Sequence, residues 1–194
     1  RIYEESVPPE ELEPKEVILD SCAEGGRLFR TRCGGRTVAM ATTQLLPKIQ
    51  TLFLVYLAVD RSIRGRSVGS QLIEFFFLRA AETVPGMNGM VWEVDRIEDS
   101  HDEADREKRE KRLRFFRHHG GSVIPYGYRQ PALDGVHPVP MHLVFRSNGG
   151  ASVAGRDLAR EIYFGKYGKV NGIAKEHLED LLEGKEPPRP PFGT

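Results

Sequence analysis

With 194 residues, 39% of them hydrophobic and 29% charged, the chain has the make-up of a soluble globular protein of one domain with additions. Its 28 basic and 28 acidic side chains balance, which argues against nucleic-acid binding by bulk basicity, and no apolar run approaches the roughly 20 residues of a membrane span. Two cysteines, Cys22 and Cys33, are too few for a disulfide framework or a four-thiolate metal site and read as free thiols in a reducing cytoplasm.

In chain order, residues 6–15 mix prolines with helix formers and read as a short helical or irregular lead-in, without a secretory n- and h-region. EVILD (16–20) fits a short strand or a short helix. Residues 26–46 read as a hairpin: Leu28, Arg30 and Arg32 alternate with Phe29, Thr31 and Cys33, and Gly34-Gly35 supplies the turn. TLFLVYLAV (51–59) is nearly all apolar, as in a strand covered on both faces. A helix over about 67–83 follows, with Val68, Leu72, Phe75, Phe76 and Ala80 at helical spacing and Pro85-Gly86 as its stop.

MVWEVD (90–95) is the next strand. Ser100 and Glu103 have the spacing of a capping box, which predicts a helix starting near His101. That helix pairs Asp105 with Arg109 and Glu107 with Lys111, buries Leu113, Phe115 and Phe116, and ends at Gly120-Gly121. Two more strands are expected at 122–128 and 139–146, around a loop at 129–137. Helices at 153–164 and 172–183 follow, the second capped by Asn171 and stopped by Gly184, and residues 185–194 form a Pro-rich tail. No internal repeat is present, and the order predicts a mixed α/β sheet rather than a doubly wound one.

Between the buried strand and its helix lies DRSIRGRSVGS (60–70). Backbone N–H groups at a helix start are unpaired and sit at the positive end of the helix dipole, so such a turn suits phosphate. Gly65, Ser67, Gly69 and Ser70 would allow close approach, and Arg61, Arg64 and Arg66 would add charge-assisted contacts. No Gly-Lys-Ser/Thr follows and the three-glycine dinucleotide spacing is absent, so neither nucleotide fingerprint is met. From the residues alone, a tight turn with solvated arginines remains equally open.

The stretch LAVDRSIRGRSVGSQL (57–72) resembles the acyl-CoA loop of the GNAT superfamily of N-acyltransferases: a Val-ending strand, then Arg/Gln-x-x-Gly-x-Gly/Ala opening a helix. Here it runs from Arg64 to Gly69, with Ser67 where the first motif glycine usually sits. RFFRHHGG (114–121) before a strand resembles the family's second signature, and the order of elements over about 16–146 agrees. The resemblance implies a GNAT-like, mostly antiparallel sheet flanked by helices, with a splayed central strand pair. It also implies that the amides of Arg64, Gly65, Arg66, Ser67, Val68 and Gly69, with Ser70 beside them, hold the pyrophosphate of coenzyme A. Leu57, Ala58 and Val59 would pair with the pantetheine arm, and the acyl group would lie between the strands ending at Val59 and Asp95. An acceptor amine would then attack the thioester directly from the other side.

In that family a tyrosine of the second signature commonly protonates the leaving thiolate, and this chain has Phe116 at the matching position. Tyr126 and Tyr128 are candidates to replace it, although tyrosines flanking a strand often serve packing. Glu93 is the foremost carboxylate: it sits in an otherwise apolar strand, where a charge is costly unless it is paired or functional. Its two readings are a general base and an edge-facing or salt-bridged glutamate, with Arg112 or Arg114 as the candidate partner; Asp95 is a second choice. His118 and His119 read as partners of the helix C-terminus, His142 as a core or edge residue, and no His/Cys spacing resembles a metal site. The charge run over 96–117 reads as a solvated face.

The expectation is therefore a GNAT-like domain over 1–150, a helical extension over 151–184 packed on it, and the tail. Its expected activity is cytoplasmic N-acetyl transfer from acetyl-CoA to a primary amine, with no metal, nucleic acid or membrane involved. Two alternatives stand beside it: a non-catalytic acyl-CoA-binding module, and a synthase of N-acyl products from a longer donor. The apolar face of the last two helices (Ile162, Tyr163, Tyr167, Ile173, Leu178, Leu181, Leu182) would pack on the sheet, form a homodimer interface, or cover the acceptor cleft.

Overall fold

The computed structural model describes residues 1–6, 12–131 and 138–185. Most of the expected lead-in (7–11), part of the 129–137 loop and nearly all of the tail lie outside the described residues. The undecided EVILD segment is helical, as α1 (Lys15–Ser21), with Ile18 buried. β1 (Gly26–Cys33) and β2 (Arg36–Leu46) form the predicted hairpin. Gly34 and Gly35 have φ of +54° and +79°, the pair of positive values that a type I′ turn needs.

β3 (Thr51–Val59), α2 (Val68–Thr83), β4 (Gly89–Asp95) and α3 (Glu103–His118) follow, then the two-residue strands β5 (Ser122–Val123) and β6 (Arg129–Gln130), and β7 (Val139–Ser147). The strands form one mixed sheet in the order β1-β2-β3-β4-β7-β5, with β6 also on β7. Every pairing is antiparallel except β3 with β4. Strand neighbours on β3 and β4 point to opposite faces, so each face acquires its own core. On one face α2 and α3 bury Ile73, Phe76, Phe77, Leu113 and Phe116 against Leu54, Met90 and Trp92. On the other, α4 (Gly155–Ile162) and α5 (Lys175–Leu182) bury Leu158, Ile162, Leu178 and Leu181 against Phe53, Val91 and Leu143.

Four local expectations are corrected. Asp102, not Ser100, caps α3, its carboxylate accepting from Asp105 N at 2.7 Å. The strand expected over 122–128 is only two residues long, Ile124 N still donating to Leu143 O of β7 at 2.9 Å before the chain bends at 125–126, and residues 129–130 of the expected loop also pair with β7. The helix expected over 153–164 starts at Gly155 and continues past Ile162 as a wider π-helical turn, Tyr163–Gly168. Asn171 does not cap α5. Its side chain is drawn inward by Glu13 and Lys166, and Ala174 takes the cap position. Gly184, with φ of +74°, does end that helix, and the Asp105–Arg109 and Glu107–Lys111 pairs form as expected.

Candidate active site

The sheet is open at its centre. β3 and β4 pair at Thr51–Gly89, Leu52–Met90 and Phe53–Val91, and no further. β3 continues on β2 as far as Val59–Ala39, and β4 continues on β7 as far as Asp95–Met141. A bulge helps part them: Thr42 pairs with Tyr56 and Thr43 with Leu54, leaving Val55 as the extra residue. Leu54 to Val59 and Trp92 to Asp95 thus face each other without a shared ladder, and a backbone polar group without its ladder partner is available to a ligand. A cleft of about 1270 Å³ runs through this gap, lined by Leu57, Ala58, Val59, Glu93 and Phe115 among others.

At one end of the cleft is the turn that opens α2. Asp60 is buried and organises it, accepting from Ser62 N at 3.0 Å and Ser62 Oγ at 2.7 Å and pairing with Arg1 and Arg36 at 2.6 Å each. The bonds from Ser62 first, and then the Arg36 pair, hold its carboxyl well below the usual range. Gly65 and Ser67 both have positive φ, +79° and +59°. The left-handed conformation is thus kept where the family's glycine is replaced by serine. Among the described residues no side chain caps α2, and its first helical bond is Gln71 N to Ser67 O at 2.9 Å, so the N–H groups of Val68, Gly69 and Ser70 precede the ladder. Those donors, at a dipole's positive end and beside an opened strand pair, fit a pyrophosphate with an amide-bearing arm.

The arginines divide. Arg64 turns back to Val59 O at 3.0 Å and Ser6 Oγ at 3.1 Å, and Arg61 reaches Glu5 O at 3.1 Å, so both side chains brace the turn. Arg66 is exposed and has no ion-pair partner among the described residues. A Cβ at Gly69 would lie 3.4 Å from Phe115 Cζ, an ordinary van der Waals contact.

Glu93 lies in the cleft, on the face of the sheet opposite to α2 and α3. It is not paired with Arg112, which bonds Asp95 at 3.1 Å. Instead Tyr128 Oη donates to its Oε1, Gln130 Nε2 donates to Oε2 at 3.0 Å, and Tyr167 Oη donates to Oε2 at 2.9 Å. Burial pushes its pKa up against the opposing effect of these three donors and of the Lys166 charge. Burial together with the Glu93 charge raises the Tyr128 and Tyr167 hydroxyls well above the usual tyrosine value. Tyr167 and Gln130 line the cleft beside Glu93, while Tyr128, 1% exposed, stands behind it.

Tyr126 is not brought to this group. Its hydroxyl meets Leu182 O at 3.4 Å near α5, and it does not line the cleft. Phe116 is buried on the opposite face against Trp92, ring centroids 4.9 Å apart. Tyr167 and Gln130 escaped the sequence reading. Tyr167 belongs to an apolar stripe, and it reaches Glu93 because the wide turn at Tyr163–Gly168 carries Lys166 and Tyr167 inward together. A lysine inside that stripe was the available signal: Lys166 is 2% exposed, paired with buried Glu13, and bonded to Asn171 at 2.8 Å. His119 likewise does more than end α3, since it is buried between Ser70 and Glu74 of α2, whereas His118 is exposed in the last turn. Among the described residues no group of three or more His, Cys, Asp or Glu is placed to hold a metal ion, and no helix is long and apolar enough to cross a membrane. Cys22 and Cys33 are free and exposed.

A sheet split between β3 and β4, with an uncapped helix N-terminus at the mouth of the split, is the architecture of an acyl-CoA-dependent transferase fold. The GNAT acetyltransferase family model matches residues 1–120, and the chain belongs to that family. Among solved structures it is similar to a protein assigned to the GNAT acetyltransferases from Bacteroides thetaiotaomicron, at 18% identity and a TM-score of 0.66 over 89% of each chain. A GNAT-like decarboxylase, GphF, in complex with isobutyryl-CoA has a TM-score of 0.54 at 18% identity, covering 75% of this chain and 91% of that one. A GNAT-family protein from Desulfovibrio desulfuricans has a TM-score of 0.50 at 16% identity, covering 74% and 85%. At these identities the likeness is one of fold. No curated protein matches the chain.

Proposed function

We propose that this chain transfers an acyl group, most simply acetyl, from acetyl-CoA to a primary amine by direct attack within a ternary complex. The observation that carries the proposal is the Glu93–Tyr167–Gln130 group, set in the gap between β3 and β4 with the Glu93 pKa raised by burial. The turn from Arg64 to Ser70 would bind the pyrophosphate through the amides ahead of the α2 ladder, and Leu57, Ala58 and Val59 would offer unpaired backbone to the arm. A thioester supplies an activated acyl group and a thiolate that leaves. Glu93 takes the proton from the attacking amine as nitrogen bonds to carbon, a role suited to a carboxyl whose pKa has moved toward the working pH. Tyr167 donates to Glu93, so it can pass a proton to the departing sulfur while accepting one from the protonated carboxyl. That relay would replace the tyrosine missing at Phe116, whose ring is in the opposite core. Tyr128 positions Glu93 from behind.

Phe116 also favours a second reading, a non-catalytic acyl-CoA-binding module, because a phenyl ring has no proton to give. Calorimetry with acetyl-CoA and coenzyme A, followed by thioester consumption against a panel of amines, separates the two. Binding with turnover supports the transferase, binding without turnover on any amine supports the module, and no heat with either cofactor overturns both.

A further inference from the structure

The turn that faces the cleft is wired to a second polar chain the reaction does not use. Ser70 is in the first turn of α2 and lines the cleft. Its Oγ lies 3.0 Å from His119 Nε2, and His119 Nδ1 lies 3.0 Å from Glu74 Oε1. Glu74 is gripped by both Arg146 nitrogens, at 2.8 and 2.9 Å, which with the His119 contact hold its carboxyl low and ionised. Arg146 is itself fixed over the Phe77 ring at 3.7 Å. His119 is 8% exposed, packed edge-on to Phe115, and the other charged or titratable groups facing it are Glu74, Arg146 beyond it, and His118, whose ring is 5.3 Å away.

The proton positions follow from the chemistry. An ionised carboxylate only accepts, so His119 Nδ1 carries hydrogen and, in the neutral ring, Nε2 is an acceptor. Ser70 must then give its hydroxyl proton to Nε2 and present only lone pairs to the cleft, which repel an anion. When the ring is protonated, Nε2–H donates to Ser70 Oγ instead. The serine proton is then free to point at a phosphoryl oxygen, beside a new positive charge. We infer that His119, with Glu74 and Arg146, is a positioning residue for the Ser70 hydroxyl on the cofactor pyrophosphate, so that binding there is linked to proton uptake at His119. The inference rests on the proposal that coenzyme A occupies this turn. Linkage makes it reciprocal: whatever strengthens the protonated ring strengthens pyrophosphate binding.

The probe is dephospho-coenzyme A, which keeps the pyrophosphate and lacks the 3′-phosphate that titrates near neutrality. Calorimetry on the wild type in buffers of different ionisation enthalpy should show uptake of a fraction of a proton, with Kd falling about three- to tenfold from pH 8 to pH 6. His119→Gln and Ser70→Ala should bind with Kd independent of pH, His119→Gln retaining the higher affinity because its amide can donate to Ser70. Thermal melts check that both variants fold. Wild-type binding without proton uptake overturns the inference, as does a full pH dependence in His119→Gln, and both leave the cofactor site intact. Absence of any wild-type binding overturns the cofactor site, and the inference falls with it.

Discussion

Replacing Glu93 by Gln keeps the side chain's size and removes its basicity, so it isolates the proposed chemical role. Three donors converge on the carboxylate, from Tyr128, Gln130 and Tyr167. A carboxamide still accepts from two of them at its oxygen, and the hydroxyls and the Gln130 amide can turn to meet its NH₂. The fold should therefore survive, and cofactor affinity, which the proposed turn at the far end of the cleft would set, should change by less than about twofold. A positioned general base contributes roughly 100- to 10,000-fold, so kcat should fall within that range. The assay follows loss of thioester absorbance, because Cys22 and Cys33 are exposed and would consume a thiol reagent.

The pH dependence gives the sharper test, because rate and stability move in opposite directions through one carboxyl. Burial raises the folded pKa of Glu93, so the base form appears only as pH rises through that value, and wild-type kcat/KM should rise with it. In Glu93→Gln that limb should vanish. The folded state holds this proton more tightly than the unfolded chain, whose carboxyl titrates at about 4.3. The stability Glu93 contributes is thus fully present below the unfolded value and lost as pH rises through the folded one. Gln does not titrate, so the Tm of Glu93→Gln relative to wild type should climb from pH 5 to pH 8, by about 2–4 °C per kcal/mol for a chain of this size. A rate unchanged at every pH would remove Glu93 from the mechanism, and a flat Tm difference would contradict its burial.

Tyr167→Phe should slow turnover at least about 100-fold with Kd for coenzyme A unchanged, while Tyr126→Phe, whose hydroxyl meets Leu182 O, should stay within about twofold of wild type in the same steady-state assay. Lys166→Met leaves Glu13 as an uncompensated buried charge and should cost about 3–5 kcal/mol in denaturant unfolding, with a substantial part recovered when Glu13→Gln is added. Ser67→Gly should raise Tm by about 1–4 °C. It relieves a left-handed conformation worth about 1–2 kcal/mol and loses part of that gain to the greater freedom of the unfolded glycine.

What the sequence disclosed was local. Thr51 to Val59, the small and basic turn and the helix behind it are contiguous, and their apolar spacing and missing P-loop lysine are visible within the stretch 51–83. The oddity of Glu93 was also visible, since one carboxylate in MVWEVD breaks the apolar pattern. Its partners were not. Gln130 reaches it from a two-residue strand that no periodicity marks, and Tyr167 from 74 residues away through a π turn that an α-helical spacing does not describe. The same limit hid the pairing of Asn171 and Lys166 with Glu13, more than 150 residues earlier in the chain. Even the serine at position 67 is informative only with the backbone in view: it occupies the left-handed conformation for which the family motif uses glycine.

The departure at Phe116 then takes on a different meaning. Phe116 and Trp92 stack on the face covered by α2 and α3, whereas Glu93, Tyr128 and Tyr167 project to the face covered by α4 and the π turn. Adjacent residues on β4, Trp92 and Glu93, point to opposite faces: Trp92 stacks on Phe116, and both of these rings and Glu93 line the cleft. Beside Phe116, Trp92 Nε1 is buried without a hydrogen-bond partner among the described residues. The proposed proton transfer through Tyr167 would run on the Glu93 side of the sheet. That route would also tie catalysis to the C-terminal segment, because the residue that would hand the proton to sulfur belongs to the turn after α4 rather than to the motif-bearing half of the chain. Truncation before Gly155 would therefore remove Tyr167 along with much of one core, while leaving the cofactor turn's own sequence untouched.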